Sequence, residues 1–522
     1  MKQTIYPIGI QNFEKIRRDG YLYVDKTALV YQMVKTGSYY FLSRPRRFGK
    51  SLLLSTLEAY FQGKRELFEG LAMEKLEMDW IEYPIFHLDL NAERYSDCEA
   101  LESILRRFLN HFEDRWGNDE REITLADRFT GVIRRAYEKS GQGVVILVDE
   151  YDKPLLQTIG NERLQEEYRS ILKAFYGVLK SMDGYIKFAF LTGVTKFGKV
   201  SVFSDLNNLE DISMQDAYHG ICGITESELL SNFGDEIGRL AESLGLDYEE
   251  TRALLKKRYD GYHFTAFTDG VYNPFSLLNT FKHLRMGDYW FETGTPSYLV
   301  ELLKRTNYDL YEMANTETDS DVLNSIDSTS RNPVPVIYQS GYLTIKDYDS
   351  EFGIYRLGFP NREVEEGFVK YLLPYYTTVK STNSKFEIGR FVREVREGDY
   401  DGFFSRLQSF FADTPYEVIA GQKPERDTEL HYRNVLFIVF KLVGLYTNVE
   451  YHTSQGRIDL VLQTDRYIYV MEFKLNGTAE EALRQIEEKQ YALPFANDSR
   501  KLIKIGVNFS SKTRNIERWL VG

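Results

Sequence analysis

Short apolar runs alternate with longer amphipathic stretches through the first half of the chain. Four of these runs predict strands, at residues 38–43, 84–90, 144–148 and 186–191. The stretches between them predict helices, at residues 51–61, 98–112, 125–139 and 161–180. Strands that alternate with helices are typical of an α/β fold with a mainly parallel sheet. The uninterrupted apolar run at 144–148 fits a strand that is buried on both faces.

The pattern changes after about residue 225 and predicts a different kind of structure. Residues 225–257 have a helical period. Further on, residues 341–347 and 354–359 flank a polar turn and predict a β-hairpin. Because this hairpin follows helices, the middle of the chain is predicted to be helical with a winged helix.

The last hundred residues return to a mixed α/β pattern. They predict a helix at 429–445, two strands, a helix at 479–491 and a strand at 501–508. We therefore predict three domains, at residues 1–225, 226–370 and 371–522, with the core of the third at about 420–510.

Composition and charge limit the classes of function. The 522 residues carry a net charge of −13, which argues against a chain that coats nucleic acid through its bulk charge. Residues 421–522 nevertheless hold 15 Lys or Arg against 13 Asp or Glu, so a local basic surface is compatible with that end. The two cysteines, Cys98 and Cys222, exclude a disulfide framework and a multi-cysteine zinc site.

No segment of the sequence predicts a membrane span or a signal peptide. The longest apolar stretch, residues 435–446, is interrupted by Lys441 and is shorter than the about 20 residues that a bilayer requires. The first ten residues contain one lysine and no long apolar run. We therefore expect a cytoplasmic protein without a membrane partner.

A candidate phosphate-binding loop lies between the first predicted strand and the helix after it, where residues 44–51 read RPRRFGKS. In a P-loop, GxxxxGK[ST] cradles phosphates with backbone N–H groups, the lysine reaches the β- and γ-phosphates, and the hydroxyl binds Mg²⁺. Arg44 stands where the first glycine of this pattern belongs. The segment predicts that ATP and Mg²⁺ are bound at Arg47, Phe48, Gly49, Lys50, Ser51 and Leu52.

A second nucleotide motif follows at residues 144–150, which read VVILVDE. An apolar strand that ends in two acids is typical of a Walker B element. Asp149 is expected to hold Mg²⁺ through water, and Glu150 to polarise the attacking water. A core strand capped by solvated acids is the alternative, but the presence of both motifs in the expected order favours ATP binding.

The predicted strand at 84–90 lies between the two motifs, so we expect their strands not to be neighbours in the sheet. This arrangement fits ATPases that insert a strand between the motifs and carry a catalytic glutamate. In that class, a polar residue at the end of the next strand senses the γ-phosphate. Thr192 is the first candidate and Thr195 the second, while a helix or turn cap is the alternative for both.

Three arginines, Arg44, Arg46 and Arg47, belong to the candidate loop. They could contact phosphate, or one of them could act as an arginine finger in a neighbouring subunit of a homo-oligomer. A solvated basic loop explains them equally well, and the sequence does not separate these alternatives.

A pair of carboxylates and a lysine lies near the C-terminal end, with Asp459 in RIDLVL and Glu472 and Lys474 in YIYVMEFKL. A hairpin that turns at residues 463–466 would bring Asp459 beside Glu472, and side-chain alternation puts Glu472 and Lys474 on one face. Two carboxylates can hold Mg²⁺, or Mn²⁺ in its place, and activate a water that attacks a phosphodiester. Lys474 would orient that water or stabilise the leaving charge. An exposed polar hairpin face is the alternative.

The flanking helices supply further candidates for this second site. Glu429 on the preceding helix could add an acid to the metal site. Gln485 and Lys489, four residues apart, share one face of the following helix. Either side chain could approach the site or a DNA backbone, or it could be solvated.

Several strings in the chain resemble the AAA-ATPase-like proteins of bacteria, and D-x12-EFK is similar to the PD-(D/E)XK nuclease domain usually fused behind them. The strings are YVDKT (23–27), RPRRFGKS (44–51), LVDEYDKP (147–154), FSDLNNLEDIS (203–213), YDGYHF (259–264), YNPFS (272–276) and YQSGYLTI to LGFPNREV (338–364). The resemblance spans nearly the whole chain, and an arginine at the start of the P-loop looks usual for this family. It implies nucleotide roles for Lys50, Ser51, Asp149 and Glu150, and nuclease roles for Asp459, Glu472 and Lys474.

Three functions are compatible with these motifs. The leading hypothesis is a Mg²⁺-dependent nuclease, acting on nucleic acid with DNA favoured, whose cleavage is gated or positioned by an ATPase. The alternative is a nucleotide-controlled signalling or scaffold protein whose C-terminal fold only binds. The presence of all three nuclease residues favours the nuclease hypothesis. The acidic middle of the chain mildly favours the scaffold hypothesis. A simple phosphohydrolase ranks third, because it leaves the C-terminal motif without a task.

Overall fold

The computed structural model describes residues 4–91, 94–196, 206, 208–293, 297–306, 308–313, 316–324, 332–377, 384–412, 424–444, 448–454 and 457–522. Within these ranges, the side chains of residues 297, 298, 301, 304, 305, 384, 385, 412, 424–429, 448–454 and 457–459 lie outside the description. The chain divides into two compact units, residues 1–299 with 316–363 and residues 300–315 with 364–522. The division into three domains stays a prediction.

In the first part of the chain, the four predicted strands and four predicted helices follow one another in the predicted order, and four short helices and a two-residue strand are present in addition within the described residues. The elements are α1 (Phe13–Arg18), α2 (Thr27–Thr36), β1 (Tyr39–Ser43), α3 (Lys50–Phe61), α4 (Ala72–Leu76), β2 (Ile85–Asp89), α5 (Cys98–Trp116), α6 (Leu125–Ser140), β3 (Val144–Asp149), α7 (Lys153–Gln157), α8 (Glu162–Ser181), β4 (Ile186–Gly193) and β5 (Glu210–Asp211).

The remaining elements comprise a mainly helical middle and a mixed C-terminal part. The middle contains α9 (Glu226–Leu244), α10 (Tyr248–Tyr259), α11 (Pro274–His283), α12 (Tyr289–Glu292), α13 (Ser297–Thr306), α14 (Leu310–Met313), β6 (Glu317–Thr318), α15 (Ser320–Asn324), α16 (Val334–Gln339), β7 (Thr344–Asp349), β8 (Ile354–Gly358) and α17 (Arg362–Tyr376). The C-terminal part contains α18 (Ser384–Glu397), α19 (Tyr400–Ala412), α20 (Pro424–Gly444), β9 (Asn448–Ser454), β10 (Arg457–Gln463), β11 (Tyr467–Leu475), α21 (Ala479–Glu488), β12 (Lys501–Ser510) and β13 (Asn515–Val521).

A five-stranded parallel sheet forms the centre of the first unit, in the order β2-β3-β4-β1-β5. Every residue of β1 and β3 is buried, as the uninterrupted apolar runs predict for strands of a parallel sheet. β4 lies between β1 and β3, so the strands that carry the two nucleotide motifs are not neighbours. β2 pairs with β3 on its other side. In such a sheet, ligands bind beyond the carboxyl ends of the strands.

Polar caps define where the helices around this sheet begin. The Asp97 side chain accepts a hydrogen bond from the backbone of Ala100 at the start of α5. Thr124 and Asp127 form a reciprocal capping box at the start of α6. Gly141 ends α6 with φ 67°, a left-handed conformation that suits glycine, and lets the chain turn directly into β3.

The middle of the first unit departs in detail from the sequence pattern. The helical stretch predicted at 225–257 is two helices, α9 and α10, because Gly245 ends α9 with φ 67° and Asp247 caps α10. The predicted hairpin is present as the antiparallel pair β7 and β8, and β6 joins β8 on its other edge. A winged helix in this region stays a prediction.

The second unit contains a five-stranded sheet in the order β13-β12-β11-β10-β9. All its pairs are antiparallel except β11 with β12, which are parallel and joined through α21. A Cβ atom at Gly506 on β12 would lie 2.2 Å from the Ala479 carbonyl oxygen and 2.5 Å from the Leu483 nitrogen, so glycine permits this close approach of α21. β9 and β13 extend the sheet beyond the strands that the sequence predicts.

None of the helices that the structure describes combines the length and the apolar character needed to cross a membrane.

Candidate nucleotide and nuclease sites

The candidate P-loop is a six-residue turn between Ser43, where β1 ends, and Lys50, where α3 begins. Gly49 precedes the helix with φ 96° and ψ 18°, and Arg47 has φ 66°. No described atom lies within 4 Å of a Cβ built at Gly49, so backbone conformation rather than space favours glycine there. The first N–H groups of α3 have no acceptor within the helix, and such a helix start binds anions.

The Lys50 amine lies between the loop and the end of β3. Its Nζ donates hydrogen bonds to the backbone oxygens of Arg44 (3.1 Å) and Pro45 (3.4 Å). The same atom lies 3.4 Å from Oε1 of Glu150, and the Lys50 side chain is only 4% exposed. A buried ammonium group needs such partners, because burial without them is costly. The geometry therefore brings together two residues that the sequence predicts at one site.

Asp149 and Thr192 meet across the neighbouring strands β3 and β4. The Thr192 hydroxyl donates a hydrogen bond of 2.7 Å to Oδ1 of Asp149, and both side chains are buried. Glu150, which follows Asp149, has φ 53°, a conformation that is uncommon for residues other than glycine. Strained backbone of this kind clusters at functional sites. Thr192, the first sensor candidate, thus contacts Asp149, the predicted Walker B carboxylate, directly.

Asp152 is a buried carboxylate at this edge that sequence reasoning missed. It accepts hydrogen bonds from the backbone N–H groups of Val194 and Thr195 and from the Thr195 hydroxyl. Burial, followed by the nearby charge of Glu150, raises the pKa of Asp152. Thr195, the second sensor candidate, is therefore engaged by Asp152. The only sequence signal was the second aspartate of LVDEYDKP.

The three loop arginines have different surroundings. Arg44 is buried, and its guanidinium donates to the backbone oxygens of Ser43 (3.0 Å) and Ser213 (2.7 Å). Burial lowers its pKa to about 10. Arg46 lies over the ring of Trp290, and Arg47 is exposed with its guanidinium 5.0 Å from the Phe275 ring centre. Arg44 therefore stabilises the loop from inside the fold and is not accessible to a neighbouring subunit.

The other predicted loop residues fit nucleotide binding to different degrees. The Phe48 ring is buried against Tyr262, with ring centres 4.7 Å apart, so Phe48 can offer only its backbone to a ligand. Ser51 and Leu52 are half-buried in the first turn of α3. A hydroxyl at Ser51, a carboxylate at Asp149 and a buried ammonium at Lys50 are the groups that Mg²⁺ and phosphate require.

The candidate nuclease residues lie on β10, β11 and α21. Asp459 stands directly opposite Glu472 in the antiparallel register, as a hairpin between the two strands requires. Glu472 is fully buried, and Nζ of Lys474 lies 3.3 Å from its Oε1. Lys474 also donates a hydrogen bond to Oε1 of Gln485, which α21 supplies. Gln485 therefore approaches the site, whereas Lys489 follows the end of α21 and is exposed.

Two of the predicted metal ligands can be placed only through their backbone. Asp459 lies on β10 and Glu429 on α20, and their side chains lie outside the described residues. Across the described side chains, no group of three or more His, Cys, Asp or Glu residues gathers as a metal site. Glu472 fits a metal site nevertheless, because a carboxylate this deeply buried is stabilised by a cation.

Comparison with known proteins gives matches for both ends of the chain. Residues 7–203 match a family described as predicted AAA-ATPase, and residues 427–519 match the PD-(D/E)XK nuclease superfamily. A protein from Azotobacter chroococcum mcd 1, described as an uncharacterized protein in the vnfD 5′ region, is 35% identical over 528 residues. That alignment covers 100% of this chain and 99% of the relative. The chain therefore belongs to the AAA-ATPase-like family and carries a PD-(D/E)XK nuclease-superfamily domain at its C-terminal end.

Proposed function

We propose that this protein binds and hydrolyses ATP with Mg²⁺ and cleaves nucleic acid, with DNA as the favoured polymer, under control of the bound nucleotide. The observation that carries the proposal is the meeting of Lys50, Glu150, Asp149 and Thr192 at one edge of the parallel sheet. The register of Asp459 with Glu472 supports the nuclease half.

At the nucleotide site, the residues of the chain have separate tasks. Mg²⁺, when bound, would neutralise charge on the β- and γ-phosphates. Lys50 would exchange its loop carbonyl acceptors for phosphate oxygens, and this exchange frees Glu150 to hold the attacking water. Thr192 holds the Asp149 carboxylate in place through its hydroxyl. Because both side chains are buried, this pair is preorganised before a nucleotide arrives.

At the nuclease site, Glu472 and Asp459 would hold Mg²⁺ or Mn²⁺, which lowers the pKa of a bound water. Glu429 is a further candidate ligand. Lys474 would orient the water or stabilise the leaving charge, and Gln485 limits where its ammonium group can lie. Gln485 is itself 9% exposed, so this hydrogen bond is sheltered from competing water.

The domain division at 225/226 and 370/371, the winged helix and a homo-oligomer remain parts of this proposal. In it, the middle domain relays the nucleotide state to the nuclease domain. If the nucleotide state did not reach the nuclease domain, the chain would carry two independent activities and cleavage would not be gated.

The test is cleavage of supercoiled and linear DNA with Mg²⁺ or Mn²⁺, with and without ATP. Asp459→Ala is expected to lose cleavage while its ATP affinity is unchanged. Asp465→Ala, which removes an exposed acid from the turn between β10 and β11, is the matched control and should cut normally. Cleavage that persists in Asp459→Ala would contradict the nuclease assignment, and an unchanged rate with ATP would contradict gating.

A nucleotide-controlled scaffold is the second candidate, and the β7–β8 hairpin favours it. Asp347, Asp349 and Glu351 are exposed on this hairpin with Lys346 and Arg356, and since Arg356 pairs with Asp347 the exposed charge is acidic by one. Acidic side chains repel a phosphate backbone, so this surface suits a protein partner better than DNA. Intact ATP hydrolysis without cleavage of any DNA or RNA would favour the scaffold.

A further inference from the structure

The phosphate loop depends on contacts with the middle of the first unit for its shape. Its six residues include one glycine, Gly49, so most of the loop lacks the backbone freedom of a glycine-rich P-loop. Pro45 packs directly on the backbone of Gly341, where a Cβ atom would lie 2.7 Å from the proline ring. The Phe48 ring lies 4.7 Å from Tyr262. The loop is thus held by residues more than 200 positions further along the chain.

Trp290 on α12 makes the most extensive of these contacts. Its side chain is fully buried, and its indole Nε1–H donates a hydrogen bond of 3.0 Å to the backbone oxygen of Arg46. The Arg46 guanidinium lies 5.1 Å from the centre of the same ring. Nη2 of Arg46 is buried and has no hydrogen-bond partner among the described residues. One tryptophan therefore restrains both the backbone and the side chain of Arg46.

The hydrogen bond to Arg46 also restrains the next amide of the loop. A trans peptide is planar, and its C=O and N–H groups point in opposite directions. Fixing the Arg46 oxygen on Trp290 therefore turns the N–H of Arg47 away from Trp290. Backbone N–H groups at this position are the donors with which a P-loop binds phosphate.

Glu363 holds the other side of Trp290. Its Oε1 accepts a hydrogen bond of 2.9 Å from the Trp290 backbone N–H, and its two oxygens accept from the Ser276 hydroxyl at 3.0 and 2.8 Å. Glu363 is fully buried and is the second residue of α17. The contacts therefore form a continuous path from the loop, through Trp290, to the first turn of α17.

We propose that Trp290 is a positioning residue for the phosphate loop and that, through Glu363, it links nucleotide occupancy to the start of α17. The proposal rests on the nucleotide binding proposed above. Coupling of this kind is reciprocal in free energy. If a bound nucleotide changes the free energy of the Glu363 contacts, then removing those contacts changes the free energy of nucleotide binding by the same amount.

The first test is the affinity of the full chain for a fluorescent ATP analogue with Mg²⁺. Trp290→Phe keeps an aromatic ring beneath Arg46 but removes the N–H donor. We expect affinity to fall by about five- to tenfold, the effect of one hydrogen bond. Trp80→Phe is the matched control, because its indole Nε1–H donates to the Glu77 carbonyl at 3.1 Å, away from the loop. Its affinity should be that of the wild type.

The second test uses Glu363 and does not require a change at Trp290. Glu363→Ala removes the acceptor of the Trp290 N–H, whereas Glu363→Gln keeps an acceptor of similar shape. We expect weaker binding of the analogue in Glu363→Ala and recovery to within about twofold of wild type in Glu363→Gln. Glu363→Leu fills similar space without an acceptor and should bind as weakly as Glu363→Ala, whereas leucine would restore affinity if the residue served only to fill space.

The outcomes separate this inference from the function on which it rests. A wild-type chain that binds no nucleotide would overturn the proposed function. Normal binding with equal affinities in Trp290→Phe and Trp80→Phe would overturn the role of Trp290 alone. If circular dichroism shows that Trp290→Phe is unfolded, the two Glu363 variants provide the test instead. Undiminished affinity in Glu363→Ala would then overturn the proposal.

Discussion

Lys50 is a buried side chain whose present contacts are compatible with its proposed role in phosphate binding. Its amine is satisfied by two loop carbonyls and by Glu150. These acceptors are neutral or lie beyond 3 Å, so phosphate oxygens can replace them at little cost. The fold thus holds the lysine in place at the proposed nucleotide site.

Lys50→Ala is expected to reduce ATP hydrolysis by about 100-fold or more, because the charge that stabilises the transition state is lost. The free energy of unfolding should change by only about 1 kcal/mol, since Glu150 can reach water. Lys139→Ala is the control, because its Nζ also donates to a backbone oxygen, that of Trp116 at 2.7 Å. Undiminished hydrolysis in Lys50→Ala, measured by phosphate release, would contradict the P-loop assignment.

Glu363 gives a prediction for the pH dependence of stability. Burial raises its pKa from the ordinary 4.5 to about 8, so the folded chain keeps a proton there that the unfolded chain releases. Stability should therefore fall as pH rises from about 4.5 to about 8, with a slope of up to about 1.4 kcal/mol per pH unit from this group.

Urea unfolding between pH 5 and 8 measures this slope. Glu363→Gln carries no titrating group, so its stability should depend less on pH than that of the wild type and exceed it at pH 8. Glu351→Gln changes an exposed acid and should leave the slope as it is. Identical slopes in wild type and Glu363→Gln would show that Glu363 is ionised in the folded chain.

At the scale of single elements, the approach of α21 to β12 at Gly506 can be tested directly. Gly506→Ala places a Cβ atom 2.2 Å from the Ala479 oxygen, a backbone atom that cannot move alone. We expect a loss of about 1–3 kcal/mol in the stability of the second unit, as for other overpacked sites.

Gly389→Ala, in α18 of the same unit, is the matched control. No described atom lies within 4 Å of a Cβ built there, so alanine should be neutral or stabilise the helix by up to about 1 kcal/mol. Chemical denaturation of the full chain compares the two variants. Equal stabilities would mean that α21 does not approach Gly506 closely in solution.

The apolar pattern was sufficient for the central strands and the long helices beside them, and insufficient for the short helices and the tertiary contacts. The four strand runs of the first half correspond to β1–β4, because buried parallel strands require continuous apolar residues. β9 and β13 were missed, because their sequences, NVEYHTS and NIERWLV, mix polar with apolar residues. The helical period at 225–257 was predicted without its break, for which Gly245 and Asp247 carried the signals.

Residues of the candidate nucleotide site could be predicted from the sequence only where they belong to a short local motif. Lys50 and Asp149 lie in short motifs with defined chemistry. Asp152, Trp290 and Glu363 act through partners 42 to 244 residues away, and no spacing rule relates such positions. Physical contacts at that separation follow from the sheet order and the packing of the middle helices.

For the whole molecule, the division into two units predicts how ATP affects unfolding. A ligand that binds only the folded first unit stabilises it by about 2.7 kcal/mol at 100 times its dissociation constant. Mg²⁺ and ATP should therefore raise the unfolding temperature of the first unit, which differential scanning calorimetry measures.

The second transition shows whether the units are coupled. If the nuclease is gated, ATP should also raise the second unfolding transition of the wild type, and both shifts should be smaller in Lys50→Ala, which lacks the proposed phosphate contact. Movement of the first transition alone would mean that nucleotide binding is intact and that the two units respond independently.

The hydrogen bond from Trp290 to Arg46 joins residues 244 positions apart, and this separation matters during synthesis. A ribosome adds about 5–20 residues per second, so Arg46 emerges about 12–50 s before Trp290 follows it. Until then the phosphate loop lacks the partner that shapes it. The nuclease strands are translated later still. Under the proposed function, a nascent or prematurely terminated chain would therefore carry an immature nucleotide pocket or a mature one, but never a nuclease domain without the domain proposed to control it.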